Sequence, residues 1–409
     1  MFIPNKFLTG KLWWSQFPFH LRLITKIRFF ASFGAGGVIY LTSLIFNNIG
    51  LSATEIGLGF TISAIIGTLT RIFTGNYLNK TGKIHNPLVI SSFISIAAGF
   101  CLIISKDTYS YILGQAFIGA AAGIYWPTAE FVVPYFCQPI DTRKAYALVR
   151  TSEALGIFLG VFIGGFMNNF IYLKSIFIND IFCMLSIIFL ILRNKKSINK
   201  TLESSQKKAL DHVKIHQEKW NKNTTIIVLS IILITTSLAL IQVTLPLDLV
   251  KGGVFRDVLN EQVISFIISF QLILLLILQW PIGSWISKKG KLFGLKFSLI
   301  NFSFASLLLF ISSYLNIAAF YFVFFAIVLI SLGTSSFLPT STDVVFSIAP
   351  TNKKGYALAL LSQCFAMGYF FGPFISGRVL DLFGYASIMW VAISFFCFSM
   401  FAMIFKKSF

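Results

Sequence analysis

Gly75-Asn76-Tyr77-Leu78-Asn79-Lys80-Thr81-Gly82-Lys83 closes one apolar run, and Gly283-Ser284-Trp285-Ile286-Ser287-Lys288-Lys289-Gly290-Lys291 closes another. Both read glycine, three residues, a polar residue, lysine, one residue, glycine, lysine. The offset, 283 − 75, is 208 residues in a chain of 409. That is half the protein. A basic turn repeated at half-length in an apolar chain signals two copies of one helical bundle, a design common among transporters.

The composition supports this. The chain is 56% hydrophobic and 11% charged, with mean hydropathy +0.82, whereas soluble domains carry roughly 25% charged residues. Apolar runs of about 20 residues, enough to cross about 30 Å of hydrocarbon, recur along the chain. Twelve spans are predicted: 29–49, 56–78, 87–105, 111–133, 145–167 and 175–192, then 223–245, 262–286, 292–314, 318–346, 355–377 and 387–405. The expected fold is all-α and integral to the membrane, with twelve transmembrane helices in two pseudo-symmetric six-helix bundles. The bundles cover residues 29–192 and 223–405. A basic N-terminus (1–28), a lysine-rich linker (193–222) and a short tail (406–409) complete the chain. The linker reads as a solvated segment or a short amphipathic helix.

The net charge is +19. Its distribution argues for topology rather than for nucleic acid. With the N-terminus inside, the inward segments, counting Lys296 at the inner end of span nine, hold 26 of the 33 Lys and Arg and the outward loops hold 5, so both termini and the linker are expected in the cytoplasm of a plasma-membrane protein. None of the five cysteines has a CxxC or Cys/His spacing, so no metal and no cofactor is expected. The four histidines fall in predicted loops or the N-terminus, and His212 and His216 form only an i, i+4 pair. No clustered catalytic set is apparent, and the chain is not expected to be an enzyme.

The halves match elsewhere too. Pro127 and Pro339 differ by 212 residues, Lys144-Ala145-Tyr146 and Lys354-Gly355-Tyr356 by 210, and Gly156 and Gly160 match Gly368 and Gly372 at 212. On these residues the chain resembles the major facilitator superfamily. The two basic turns resemble its G-x-x-x-D-[RK]-x-G-[RK]-[RK] loop, with Asn79 and Ser287 at the acidic position. Gln115-Ala116-Phe117-Ile118-Gly119 resembles its R-x-x-Q-G stretch, with Gln115 in place of the arginine that proton-coupled members use. Gly156 through Gly165 resembles the G-x-x-x-G-P-x-x-G-G stretch of the drug:proton antiporter branch. Val161 replaces its proline, which survives as Pro373 in the second half. The resemblance implies a monomeric secondary transporter without bound cofactor. It also implies that Gly156, Gly160, Gly164, Gly165, Gly368, Gly372, Pro373 and Gly377 pack helices at the contact between halves.

Charges inside the predicted spans mark the candidate site, because a charge at mid-bilayer costs about 2.5–3.5 kcal/mol. Glu153 and Arg150 lie three residues apart on one helix face. Either they form a permanent pair that fixes helix rotation, or Glu153 takes a proton or a cationic substrate. Their counterparts in the second half are Gln363 and Leu360. Glu130 and Asp343, near the inner ends of spans four and ten, are expected to pair with Lys80 or Lys83 and with Lys288 or Lys291 as a cytoplasmic gate; Arg71 could compete for Glu130. Trp126, Tyr125, Phe337 and Tyr369 are expected to reach a cavity. An aromatic cavity with few charges suits a small amphiphilic substrate, so proton-coupled efflux is the leading expectation. Nutrient uptake by symport or facilitated diffusion is the alternative, and a membrane sensor a remote one. No Walker A stretch supports a nucleotide-driven pump.

Overall fold

The computed structural model describes residues 14–140, 142–165, 174–209, 222–289, 291–348 and 354–406. Twelve long helices run through them: α1 (Phe19–Asn48), α2 (Ala53–Thr81), α3 (His85–Ile104), α4 (Thr108–Phe131), α5 (Thr142–Gly165), α6 (Ser175–Ala209), α7 (Lys222–Lys251), α8 (Glu261–Ser287), α9 (Lys291–Ser312), α10 (Ala319–Ile348), α11 (Lys354–Phe383) and α12 (Ser387–Lys406). Eleven of the twelve are long and apolar enough to cross a membrane; α11 is not among those eleven.

Two boundaries differ most from expectation. Helix α1 begins ten residues before the predicted span. Pro18 stands at its N-cap with φ −54°, close to the helical value, so the chain enters the helix there rather than at Phe29. His20 therefore lies in the first turn of α1, where its Nε2 meets Ser197 Oγ at 2.9 Å. Helix α6 runs through the first part of the expected linker to Ala209. The rest of that linker, with His212 and His216, lies outside the described residues.

The helix ends show why the turns fall where they do. Ser52 and Glu55 form a reciprocal capping box at the start of α2, satisfying amides that the helix itself leaves free. Asp107 caps α4 by accepting from Ser110 N at 2.9 Å; backbone N–H donors hold its carboxyl below the usual carboxylate range. The first basic turn ends α2 at Gly82, which has φ +62° and donates its N–H to Leu78 O at 2.8 Å. Only glycine adopts that left-handed cap without strain.

The packing is twofold. In the first half α1 packs on α5 and α6, and α4 on α2 and α3. In the second, α7 packs on α11, α10 on α8 and α9, and α9 on α12. The halves join through two symmetry-related pairs, α2 with α11 and α5 with α8, and through α1 with α7.

The glycines sort into two sets that the resemblance does not separate. Gly156, Gly160 and Gly164 of α5 face α1 within their own half: a Cβ on Gly156 would come within 2.7 Å of the Phe29 carbonyl oxygen, and one on Gly160 within 3.2 Å of Gly37 N. Gly368 and Gly372 of α11 face Thr235, Thr236 and Leu240 of α7 in the same way. Only the outer residues cross between halves. Gly165 abuts Ser265 of α8, Gly377 abuts Ala53 and Thr54 of α2, and the Pro373 carbonyl abuts Gly57. The expected interface role thus belongs to Gly165, Pro373 and Gly377. The others pack each half internally, because the period that aligns them also turns them towards α1 and α7.

This contrast is testable. Gly160→Ala drives a methyl into the α1 backbone and should lower stability by about 1–3 kcal/mol. A Cβ on Gly75 meets nothing within 4 Å, so Gly75→Ala should be neutral, or stabilising by up to about 1 kcal/mol. Melting temperatures of the two variants in detergent check this, and equal shifts would refute it.

Candidate functional site

Four charged side chains converge in the first half. Arg28 of α1 stands nine residues after Phe19, about 14 Å along the helix. Its Nη2 donates to Glu130 Oε1 of α4 at 2.7 Å and to Glu153 Oε2 of α5 at 2.8 Å, and its Nε reaches Glu153 Oε2 at 3.1 Å. Arg150 closes the ring, with Nη2 at 2.9 Å from Glu130 Oε1 and Nη1 at 3.1 Å from Glu153 Oε2. Each arginine meets both carboxylates. With both glutamates ionised, the quartet carries no net charge.

The surroundings make the quartet asymmetric. Arg28 is 1% exposed and Arg150 is 45% exposed, with the glutamates at 16–17%. The Arg28 guanidinium lies 4.3 Å from the Trp126 ring centroid, a cation–π contact that lowers the cost of burying it. Tyr146 donates to the Glu130 carbonyl at 3.3 Å, Tyr125 to the Ile27 carbonyl at 3.4 Å, and Ser152 to the Thr25 carbonyl at 2.9 Å. These bonds tie α1, α4 and α5 together around the ring. Two polar atoms in it, Arg28 Nη1 and Glu130 Oε2, are buried without a hydrogen-bond partner. An acceptor on a ligand could satisfy Arg28 Nη1, and a donor or a proton could satisfy Glu130 Oε2.

Several expectations change here. The Arg150–Glu153 pair exists, but as one side of a four-membered ring. Glu130 meets arginines rather than Lys80 or Lys83, because the longer α1 delivers Arg28 to it. Arg71 does not compete for Glu130; it reaches across to α11 and donates to the Ser362 carbonyl at 2.9 Å. Lys80, Lys83 and Lys288 are exposed. The side chains of Asn79, Ser287, Lys291 and Asp343, and all of Gly290, lie outside the described set. Gln115 is not part of the cluster. It is 15 residues before Glu130 (130 − 115), about 22 Å along α4, and is buried with Nε2 unpaired. Gln363 is half-buried on α11. A Cβ on Gly283 would meet Pro339 Cγ at 3.9 Å. Phe337 is a core residue, fully buried and 6.0 Å from the Phe365 ring.

Sequence reading missed Arg28 by assigning it to the N-terminus, although Pro18 signals an earlier helix start. It also passed over Asp381, whose carboxyl bridges the halves on the face opposite the basic turns. Asp381 accepts from Ala53 N at 3.0 Å, from Thr54 N at 2.7 Å, from Thr54 Oγ1 at 2.6 Å and from Lys251 Nζ at 3.1 Å. A carboxylate at a helix N-terminus meets free N–H groups and the positive end of the dipole. On the same face Asn48 bonds Glu261 across the halves.

A bundle of this kind, its two halves packed alike and an arginine–glutamate ring held inside the first, defines a membrane transporter. The sequence model of the Major Facilitator Superfamily matches residues 27–253 and again 227–408, and the chain belongs to that family. It is 22% identical over 348 residues to the uncharacterized MFS-type transporter YttB of Bacillus subtilis (strain 168), covering 85% of each chain. Among solved structures it resembles a mutant of the nucleoside transporter NupG, with TM-score 0.75 at 14% identity over 94% of this chain and 99% of the other. It also resembles a POT family transporter in complex with 5-aminolevulinic acid, with TM-score 0.76 at 10% identity over 95% and 96%. At such identities these likenesses concern the fold.

Proposed function

We propose that this transporter exports small amphiphilic organic compounds by alternating access, in exchange for protons. It would act as a monomer in the plasma membrane with both termini in the cytoplasm. The observation that carries this reading is the neutral Arg28–Glu130–Arg150–Glu153 ring, buried on the Arg28 side and wet on the Arg150 side. A proton or organic cation arriving at Glu153 competes with two guanidiniums. Its binding therefore unbalances the ring and loosens the joint between α1, α4 and α5. The aromatic wall of Trp126 and Tyr125 suits the apolar body of an amphiphile. The contacts of Asp381, Asn48 and Gly165 across the halves support a state closed on the outer face. In the opposite state the basic turns with Lys80, Lys83 and Lys288 would close the inner face.

The test uses proteoliposomes with an imposed pH gradient and a permeant cationic dye. Glu153→Gln should reduce gradient-driven dye movement at least tenfold while downhill exchange survives, since only the coupling group is lost. Full gradient-driven transport by Glu153→Gln would exclude the proton role of Glu153. Dye accumulation in everted vesicles indicates export. Accumulation only in right-side-out vesicles would favour uptake.

A further inference from the structure

A second ionisable site lies in the first half, separate from the ring. Asp180 of α6 is 2% exposed and lies within a membrane-spanning helix. It borders a mostly apolar cavity of about 90 Å³ between α1, α3, α4 and α6, whose few polar groups besides Asp180 come from Ser91, Ser95, Tyr125 and Trp126.

The surroundings are shaped to seat the carboxyl. Ser95 Oγ donates to Asp180 Oδ2 at 2.9 Å. On the other side α1 presents Gly34, where a Cβ would come within 2.9 Å of Asp180 Cα and overlap the carboxyl itself. Among the described residues Asp180 has no ion-pair partner. The groups facing it are Ser91 and Ser95 from α3, Tyr125 from α4, and Cys183 of its own helix; α1 contributes only Gly34 and apolar side chains there. Nearby cations are engaged elsewhere. Lys174 Nζ donates to the Ile103 and Ser105 carbonyls at 2.9 and 3.0 Å, and Arg28 is held in the ring beyond Trp126.

A carboxylate with one hydroxyl donor among apolar groups is costly, and no neighbouring charge offsets that cost. A structural role is poorly served, since an asparagine would bond Ser95 without it. We propose that Asp180, seated against Gly34 and Ser95, is an intramembrane proton-binding carboxyl reached through this cavity. A proton from water adds to a carboxylate oxygen to give the neutral acid and leaves by the same route. Trp126 lines this cavity and also covers Arg28, so the protonation state of Asp180 is felt next to the ring. The assignment does not depend on the direction of transport or on what drives it.

The experiment is infrared difference spectroscopy of the full chain in liposomes during a step from alkaline to acid pH. A protonated-carboxyl component should appear that persists in Glu153→Gln and is missing from Asp180→Asn, where any component from Glu153 remains. Ser95→Ala should shift the frequency of the Asp180 component without abolishing it, because the hydrogen bond to the carboxyl is lost. An identical band in Asp180→Asn overturns the proposal. So does the absence of any such band in the unmodified protein with a sodium-dependent signal instead, which would make the site a cation site. If Asp180→Asn fails to fold, Ser95→Ala decides: an unchanged band frequency places the proton elsewhere.

Discussion

Arg28→Gln is expected to abolish transport of a cationic dye, at least a hundredfold below the unmodified protein, and to lower stability by about 3–5 kcal/mol. Arg28 is the only member of the ring that is essentially buried, and it touches both glutamates. Removing it leaves two carboxylates sharing Arg150, which is nearly half exposed and therefore weaker as a counter-ion. The loss follows from the stranded charge more than from the missing hydrogen bonds. Accordingly Arg28→Gln combined with Glu153→Gln should recover part of the stability but not the transport. A double-mutant cycle would show coupling of at least about 1 kcal/mol between the two positions. Arg28→Lys should fall between, since an ammonium cannot fork across two carboxylates as a guanidinium does. Unchanged melting and unchanged dye transport in Arg28→Gln would refute the ring as the working centre.

Asp381→Ala is expected to open the face opposite the basic turns. One carboxylate there takes two N-terminal amides of α2, a hydroxyl and a lysine, joining α11 and α7 of one half to α2 of the other. Asp381 and Lys251 are each about a quarter exposed, so the lysine adds little and the amide bonds carry most of the effect. Losing them should shift the equilibrium by about 2 kcal/mol, or roughly thirtyfold, towards the open arrangement. Spin labels at Lys106 and Ile317, both exposed on that face, would report it by pulsed electron resonance in a background without the native cysteines. The variant should gain a longer distance, and Asp381→Asn, which keeps the acceptor but not the charge, should gain less of it. An unchanged distribution in Asp381→Ala would show that Asp381 does not latch the halves.

These two positions illustrate where sequence reading stopped. Arg28 was visible as a residue but not as part of a helix, because apolar content alone places the first span at Phe29. The helix extends beyond its apolar core, and Pro18 rather than hydropathy sets its start. Asp381 was hidden for a different reason. Its importance depends on meeting the N-terminus of α2, 327 residues away in the chain (381 − 54), and no periodicity encodes that meeting. The glycine rows were legible as close-packing faces. Their partners were not, because helical spacing says which residues share a face and is silent on which helix they face.

What the chain determined by itself was the doubling, the helical class, the family resemblance, the basic turns and the presence of Glu130, Arg150 and Glu153 in the spans. All of these follow from local rules: an apolar run must satisfy its backbone internally, and a repeat must fold twice the same way. What only the tertiary structure decided was pairing. It brought Arg28 to two glutamates from other helices, turned most of the glycines inward within each half, set Asp180 against Gly34 and Ser95, and placed Asp381 on the far end of α2. Such contacts depend on the rotation and axial offset of packed helices. In an almost uniformly apolar chain many arrangements bury the same area, and a few polar groups that must find partners select among them.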